Sequence, residues 1–353
     1  MIIHTPYVHG GDIYRNRVTL DFSVNVNPLG TPDPVKAAVR KATETLAAYP
    51  DPYCGLLRQR LAAAHRIDTD WVLCGNGAAE LIYQLIDALR PVQTLLPVPS
   101  FADYEAALAA ANGAAVFFPL LREEGFRLTE RILPAITEQT DLLILCSPNN
   151  PTGRLIDRPL LLRLLDRCRE TGTWLFLDEC FGALTDEETP SLVNALRPGD
   201  RVFLLRAFTK TYAMAGLRLG YALCPHRGLT GLICQRSQPW NVSALAQAAG
   251  IAALDCPGWA DEARTLIREE KYYLTRELQQ LGIAVLPGDA NFLLLSGVPG
   301  LYDSLLEQGI LIRNCENYRG LAAGDCRIAV KTHNENKALI EAIREVFHAK
   351  IRD

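Results

Sequence analysis

The chain has 353 residues, of which 49% are hydrophobic and 22% are charged. A chain of this length and composition can bury a large core, which argues against intrinsic disorder. Its 36 basic and 40 acidic residues give a formal net charge of -4 and form no run of one sign. We therefore expect no binding to nucleic acid or to anionic membranes.

Apolar stretches such as residues 142–146 and 174–177 have the length of strands and are too short to span a bilayer. Residues 1–11 lack the basic region and the apolar core of a secretory signal. These features predict a cytoplasmic protein whose ten cysteines are reduced, buried thiols. The cysteines have neither the C-x-x-C spacing nor the histidine neighbours of a metal site, so no metal is expected.

Short apolar runs alternate with amphipathic stretches of helical period, which indicates an α/β fold with a mainly parallel sheet. The first helix is predicted to have Asp33 as its N-cap and Pro34 in its first turn. The strands of the main sheet are predicted at residues 71–74, 94–96, 115–119, 142–146, 174–177, 202–205 and 218–223.

After about residue 251 the pattern becomes that of a smaller α+β domain. Helices are predicted there at residues 259–281 and 334–347, and strands at 283–286, 291–295, 310–312 and 327–330. We predict an N-terminal arm (1–29) that contributes to the small domain and the active site, a large domain (30–250) and a small domain (251–353). The active site is expected between the two domains, beyond the carboxyl ends of the parallel strands.

Lys210 follows the predicted strand 202–205 and has small and apolar neighbours. A solvated loop lysine is one interpretation of this position. Thr209 and Arg218 favour another, because a desolvated lysine near other cations has a lowered pKa and attacks aldehydes. The Thr209 hydroxyl and the Arg218 guanidinium would then bind a phosphate dianion.

Residues 206–220 (RAFTKTYAMAGLRLG) resemble the lysine motif of fold-type I enzymes that use pyridoxal 5'-phosphate (PLP), in the histidinol-phosphate aminotransferase branch. The resemblance extends over nearly the whole chain, because five separated motifs occur in the order typical of the family. It implies the aspartate aminotransferase fold, with a mainly parallel seven-stranded sheet in the large domain and a smaller α+β domain. It also implies that Lys210 is the catalytic lysine, which holds PLP as a Schiff base.

Two polar residues match the residues of the family that bind the cofactor ring. Asp178 directly follows the predicted strand 174–177, where a buried carboxylate needs a cationic partner. The resemblance implies that this partner is the pyridine nitrogen of PLP, although a helix N-cap is an alternative. Asn150 lies in the segment SPNNPTG (147–153), whose residue types are also typical of a polar turn. The resemblance implies that Asn150 hydrogen-bonds the phenolic oxygen of PLP, as the matching asparagine does in the family.

The segment CGNGAAE (74–80) resembles the loop that binds the cofactor phosphate in the family. Gly77, Ala78 and Ala79 would lie at the start of a helix, where free N–H groups favour a phosphate. Phe101 matches the aromatic residue that lies against the pyridine ring, although a core position is the commoner fate of a phenylalanine.

Further resemblances concern the partner and the substrate. Tyr49 matches a tyrosine that reaches the cofactor phosphate of the neighbouring subunit, which implies a homodimer. The family uses arginines at the places of Arg313 and Arg327 to bind substrate anions, and a guanidinium suits both carboxylate and phosphate. His9 would donate to a substrate phosphate, so a small phosphorylated amino acid is the expected substrate.

Three features favour the decarboxylases of this branch, which convert L-threonine O-3-phosphate to (R)-1-aminopropan-2-yl phosphate for cobalamin biosynthesis. The first is HGG at residues 9–11, followed by Asp12 where the decarboxylases have asparagine. The second is Phe181, where the aminotransferases have a tyrosine. The third is the sequence of three segments, 208–212, 238–242 and 311–321, which resembles that of the decarboxylases more than that of the aminotransferases. Two alternatives stay open: a histidinol-phosphate-type aminotransferase acting on a phosphorylated amino compound, and a non-catalytic binding protein with the same fold.

Overall fold

The computed structural model describes residues 9–185 and 189–352, with side chains up to residue 348. Residues 1–8 of the predicted arm and residue 353 lie outside the described residues. The strands are β1 (Leu20–Asp21), β2 (Val72–Gly75), β3 (Gln93–Val98), β4 (Ala114–Pro119), β5 (Leu142–Cys146), β6 (Trp174–Asp178), β7 (Val202–Ala207), β8 (Gly220–Leu223), β9 (Ala284–Leu286), β10 (Phe292–Ser296), β11 (Ile310–Leu311), β12 (Arg313–Asn314) and β13 (Cys326–Ala329). The helices are α1 (Asp33–Ala42), α2 (Gly55–His65), α3 (Ala78–Leu89), α4 (Ala102–Ala110), α5 (Arg158–Thr171), α6 (Phe208–Thr211), α7 (Arg227–Arg236), α8 (Ala244–Leu254), α9 (Trp259–Gln280), α10 (Leu301–Glu307) and α11 (His333–Arg352).

Seven strands form one sheet in the order β2-β8-β7-β6-β5-β3-β4. Strand β8 runs antiparallel to both of its neighbours, whereas the other adjacent strands pair in parallel. Strand β5 is buried along its whole length, as expected for a central parallel strand that is covered on both faces. The predicted seven-stranded, mainly parallel sheet is thus confirmed.

A second, antiparallel sheet has the order β12-β13-β10-β9. It packs with α9, α10 and α11 around a core of its own, which includes Leu274, Leu293, Ile328 and Ile343. Strand β1 pairs in parallel with β11, and Phe22 directly after it joins this core. The N-terminal segment is therefore attached to the smaller sheet, while the exact domain boundaries stay predictions.

Two sequence predictions near turns are wrong by a few residues. Helix α1 begins at Asp33 itself, because Pro32, with a ψ of 143°, is the last extended residue before it. Asp33 is therefore not the N-cap. The strand predicted at 218–223 begins only at Gly220, because Arg218 has a φ of +57°, in the left-handed region that strands exclude.

The strand predicted at 310–312 ends one residue earlier, because only Ile310 and Leu311 form β11 and pair with β1. A second short strand, β12, which was not predicted, begins at Arg313 and pairs with β13 in the other sheet. Strand β13 begins at Cys326, one residue before the predicted start. The other predicted strands and helices are present, with ends that differ by a few residues.

All ten cysteines are free thiols. Cys234 is exposed and Cys74 and Cys256 are half-buried, so the expectation of burial is wrong for these three. No helix in the two described ranges is long and apolar enough to cross a membrane. The cytoplasmic location stays a prediction.

Candidate active site

A cavity of about 320 Å³ lies at the edge of the large sheet where β3, β5, β6 and β7 have their carboxyl ends. Residues of the smaller sheet close it from the other side. All the residues predicted for the site line this cavity except Gly77 and Tyr49: His9, Ala78, Ala79, Phe101, Asn150, Asp178, Thr209, Lys210, Arg218, Arg313 and Arg327. The fold therefore brings together residues that are up to 318 positions apart in the chain.

Lys210 lies on the short helix α6, directly after β7. Its Nζ is 5.4 Å from the centroid of the Phe181 ring. The pKa of Lys210 is lowered to about 8, first by loss of hydration and then by the positive charge of Arg327. A much larger fraction of this amine is unprotonated at neutral pH than in an exposed lysine, as attack on an aldehyde requires.

Asp178 is the last residue of β6 and is buried. The Tyr104 hydroxyl donates to its Oδ2 at 2.7 Å, and the Cys180 backbone N–H donates to its Oδ1 at 2.8 Å. Burial raises the pKa of Asp178, and these hydrogen bonds oppose the rise. A carboxylate in this position is stabilised by a cation, and a protonated pyridine nitrogen fits that requirement.

Asn150 is held from two sides by donors. Its Oδ1 accepts hydrogen bonds from Arg327 Nη1 and, at 3.4 Å, from the Tyr318 hydroxyl. Because Oδ1 is engaged, Nδ2 is the group of this amide that can donate to an oxygen in the cavity. This orientation suits the predicted hydrogen bond to the phenolic oxygen of PLP.

The loop before α3 forms a cradle for an anion. Gly77 has a φ of +83°, and its backbone lies against the Arg218 guanidinium, so a side chain at this position would collide with that group. A Cβ atom at Gly220 would lie 2.5 Å from Ala78 N, which shows how closely β8 approaches the loop. The first N–H groups of a helix lack acceptors within the helix, and together with Arg218 they fit a phosphate group.

The smaller sheet contributes two buried arginines. Arg313 on β12 pairs directly with Arg327 on β13. Arg327 Nη2 donates to Ser23 O at 3.0 Å, and Arg313 Nη2 donates to Asn317 Oδ1 at 2.8 Å. These contacts orient both guanidinium groups in the cavity, where they can meet substrate anions.

His9 and Tyr49 have different surroundings. His9 lines the cavity, is half-exposed, and has its Nε2 3.3 Å from Asp103 Oδ1. Tyr49 is 80% exposed and lies outside the cavity of its own chain, with its ring centroid 4.7 Å from that of Trp240. Tyr49 therefore does not contribute to the cavity of its own chain.

Two tyrosines of the site were not found from the sequence. Tyr104 lies three residues after Phe101, and this spacing, which places residues on one helix face, is a signal that could have linked it to the site. Tyr318 donates to Asn150, and its ring centroid lies 5.1 Å from Arg313 Cζ. Its loop carries no local pattern that predicts these contacts.

The Tyr104→Phe variant tests the support of Asp178. Loss of the hydroxyl removes a donor to a charged acceptor, which costs about 1.5–3 kcal/mol, so PLP affinity should fall at least about tenfold. Equilibrium dialysis of PLP measures this change, with Tyr272→Phe, an exposed position on α9, as the control. A dissociation constant within about twofold of the wild type would contradict this role.

These features define an enzyme of fold type I that depends on PLP. The model of the family described as Aminotransferase class I and II matches residues 17–343, and the chain belongs to this family. The fold is that of the aspartate aminotransferases.

Two kinds of named relative are similar over almost the whole chain. A threonine-phosphate decarboxylase of Salmonella typhimurium is 38% identical over 352 residues, which cover 96% of each protein. The solved histidinol-phosphate aminotransferase of Clostridium acetobutylicum is 30% identical, with a TM-score of 0.87 over 94% of this chain and 99% of that one. The solved L-threonine-O-3-phosphate decarboxylase of Porphyromonas gingivalis is 29% identical, with a TM-score of 0.81 over 93% and 99%.

Proposed function

We propose that this enzyme decarboxylates L-threonine O-3-phosphate, releasing carbon dioxide and forming (R)-1-aminopropan-2-yl phosphate. The observation that carries the proposal is the set of Arg313, Arg327 and His9 in the same cavity as Lys210. Two guanidinium groups and an imidazole match a substrate that has both a carboxylate and a phosphate. The 38% identity to a threonine-phosphate decarboxylase supports the same substrate.

Each group in the cavity has a distinct task in this proposal. Bound PLP supplies an electron sink for the electron pair of the bond that breaks at the substrate Cα. Asp178 holds the ring nitrogen protonated, and the Lys210 amine is placed to move a proton at Cα. Arg313 and Arg327 orient the substrate, and the bond held perpendicular to the ring plane is the one that breaks.

Phe181 also supports decarboxylation. It packs against Ala290 and Phe292, with 5.2 Å between the two phenylalanine ring centroids, and it has no hydroxyl to donate into the cavity. Asn150 is then the main donor to the phenolic oxygen, in contrast to aminotransferases with a tyrosine at this place.

Histidinol-phosphate-type transamination is the second candidate. It is favoured by the TM-score of 0.87 to a solved histidinol-phosphate aminotransferase, which exceeds the 0.81 to a solved decarboxylase. The same lysine and anion-binding groups serve both reactions, because only the orientation of the substrate Cα differs.

Product analysis separates the two reactions. The PLP-loaded enzyme is incubated with threonine phosphate, serine phosphate or histidinol phosphate, each with and without 2-oxoglutarate. We expect stoichiometric carbon dioxide from threonine phosphate without 2-oxoglutarate. Glutamate formed from 2-oxoglutarate and histidinol phosphate, without carbon dioxide from threonine phosphate, would replace our proposal by the second candidate.

We also propose that the enzyme is a homodimer in which Tyr49 completes the site of the partner subunit. An exposed apolar surface supports this arrangement. Tyr49 contacts Trp240, and Leu46, Tyr53 and Leu56 lie within seven positions of Tyr49 in the chain; all five are exposed in the single chain. Apolar clusters of this kind typically mark protein interfaces.

Mixed dimers test the contribution of Tyr49. Tyr49→Ala and Lys210→Ala are each expected to be strongly impaired as pure dimers, whereas a mixed dimer has one site with both Lys210 and the partner's intact Tyr49. Co-expression of equal amounts should recover about one quarter of wild-type activity, because half of the dimers are mixed and each has one complete site. Activity no greater than that of the two pure variants would contradict sharing of the site between subunits.

A further inference from the structure

Asp103 lines the active-site cavity and has no task in the proposed reaction. It lies in the first turn of α4, and its side chain is only 15% exposed. A carboxylate so far removed from water is costly unless a cation or a donor lies beside it. His9 is such a neighbour, because its Nε2 lies 3.3 Å from Asp103 Oδ1. Burial raises the pKa of Asp103, and the positive charge of a protonated His9 opposes the rise.

The contact between His9 and Asp103 joins two parts of the molecule that meet at the cavity. Asp103 belongs to the large sheet, because α4 connects β3 to β4 and the next residue, Tyr104, packs in the core beside that sheet. His9 belongs to the N-terminal segment, which β1 and Phe22 attach to the smaller sheet. Asp103 is therefore placed to fix the position of His9 relative to the side of the cavity that holds the cofactor.

The backbone next to His9 is held by close contacts. Gly11 N donates to Ser23 Oγ at 2.7 Å. A Cβ atom at Gly10 would lie 2.5 Å from Ser23 O, so this part of the chain lies directly against Ser23. The same Ser23 O accepts from Arg327 Nη2 at 3.0 Å, which ties the segment of His9 to an arginine of the cavity. With the backbone held there, the main freedom left to His9 is rotation of its side chain.

The charge of Asp103 acts on one end of the His9 ring. A carboxylate only accepts hydrogen bonds, so it attracts the N–H group of Nε2, the ring nitrogen that lies beside it. The partner at one ring nitrogen determines what the other nitrogen does. When the ring carries both protons, Nδ1–H is the donor at the end of the ring away from Asp103. An imidazole held in this way can donate to an anion in the cavity.

We propose that Asp103 is a positioning residue for substrate binding, which holds the Nε2 end of the His9 ring so that Nδ1 donates to the substrate phosphate. This inference rests on the proposed function, in which His9 binds that phosphate. Direct repulsion between Asp103 and the phosphate is the smaller effect. The two anions lie at opposite ends of the ring, and His9 is half-exposed, so water and salt weaken the repulsion over that distance.

A purely structural role of Asp103 predicts a different result. Acidic side chains in the first turn of a helix are stabilised by the helix dipole, and α4 has two of them, Asp103 and Glu105. Glu105 pairs with Arg319 at 3.2 Å and does not line the cavity. Glu105→Gln is therefore a matched control, because it removes a charge from the same helix turn without touching His9.

Two ligands that differ by one phosphate test the proposal on the PLP-loaded enzyme. 3-Phosphooxypropanoate has the carboxylate and the phosphate of a phosphorylated amino acid but no amine, so it does not react with the cofactor. Butanoate has the carboxylate alone. Calorimetry measures the dissociation constants of both ligands for the wild type, Asp103→Ala, His9→Ala, the double variant and Glu105→Gln.

We expect Asp103→Ala to weaken the binding of 3-phosphooxypropanoate at least about fivefold and to change that of butanoate less than about twofold. His9→Ala should weaken the phosphate ligand at least as much. In the His9→Ala background, Asp103→Ala should change its affinity less than about twofold, because no ring is left to position. Glu105→Gln should leave both dissociation constants unchanged.

Four results would overturn the proposal. The first two are unchanged and tighter binding of 3-phosphooxypropanoate by Asp103→Ala, since tighter binding would mean that repulsion dominates. The third is a loss of the same size in the His9→Ala background, which would show that Asp103 acts without His9. The fourth is unchanged binding by His9→Ala. Because neither ligand reacts, these results do not depend on product analysis, so carbon dioxide release without this coupling would remove the role of Asp103 alone.

Discussion

Replacing Lys210 by alanine is expected to lower turnover at least about a thousandfold, since the variant loses both the nucleophilic amine and the group that moves a proton at the substrate Cα. The amine lies in the cavity beside Phe181, and its pKa of about 8 makes it reactive near neutral pH. The variant should also lose the visible absorption band of PLP joined to a lysine. Steady-state rates of carbon dioxide release and absorption spectra of the purified protein measure the two effects.

Two further variants make the Lys210 experiment specific. Lys210→Met keeps an apolar chain of similar length but no amine, so it should be as inactive as Lys210→Ala. Lys36→Ala removes an exposed lysine on α1 that pairs with Asp33, and it should keep full activity and colour. Retention of the absorption band in Lys210→Ala would mean that another amine binds PLP, and the assignment of Lys210 would then be wrong.

The second large effect is expected for Asp178→Asn, which keeps the shape of the side chain and removes its charge. Loss of one partner of a buried ion pair costs about 3–5 kcal/mol, which corresponds to a loss of roughly 100-fold to 4,000-fold in PLP affinity, turnover or both. Equilibrium dialysis of PLP and steady-state kinetics measure the two quantities. An affinity and a turnover both within about twofold of the wild type would contradict an ion pair with the cofactor ring.

In the absence of PLP, Asp178→Asn should leave the stability of the folded protein unchanged or raise it. Burial raises the pKa of Asp178, so the folded chain binds this proton more tightly than the unfolded chain does. The contribution of Asp178 to stability therefore falls as the pH rises above the unfolded value, and the ionised carboxylate destabilises the apo-protein at neutral pH. Asp178→Asn should melt at the same or a higher temperature without PLP, and PLP should raise its melting temperature less than that of the wild type.

Asp141→Asn is the control for both measurements. Asp141 precedes β5, and its Oδ2 accepts from the backbone N–H groups of Val92 and Gln93 at 2.8 Å, away from the cavity. This variant should show reduced stability with and without PLP but an unchanged cofactor affinity. A parallel loss of stability in both forms of Asp178→Asn would indicate a structural role for Asp178 and not a cofactor-binding one.

The positions of Lys210, Asp178 and Asn150 could be predicted because each follows an apolar strand at a short, constant distance. The end of a buried parallel strand is recognisable from local residue types, and such ends meet at one edge of the sheet. Arg218 was predicted for the site and lines the cavity, but the strand predicted to include it begins only at Gly220. The backbone of Arg218 has a φ of +57° and its guanidinium lies against Gly77, a contact between distant parts of the chain that no local pattern records.

The sequence by itself determined the class of fold, the cofactor chemistry and most of the residues around it, because strand periodicity and the residues at strand ends are local properties. Only the tertiary structure decided how those residues are oriented. Arg327 and Tyr318 hold the Asn150 amide across 177 and 168 positions of the chain, and Tyr104 holds Asp178 across 74. Contacts over such separations depend on how the elements pack, and no local pattern of residues records that packing.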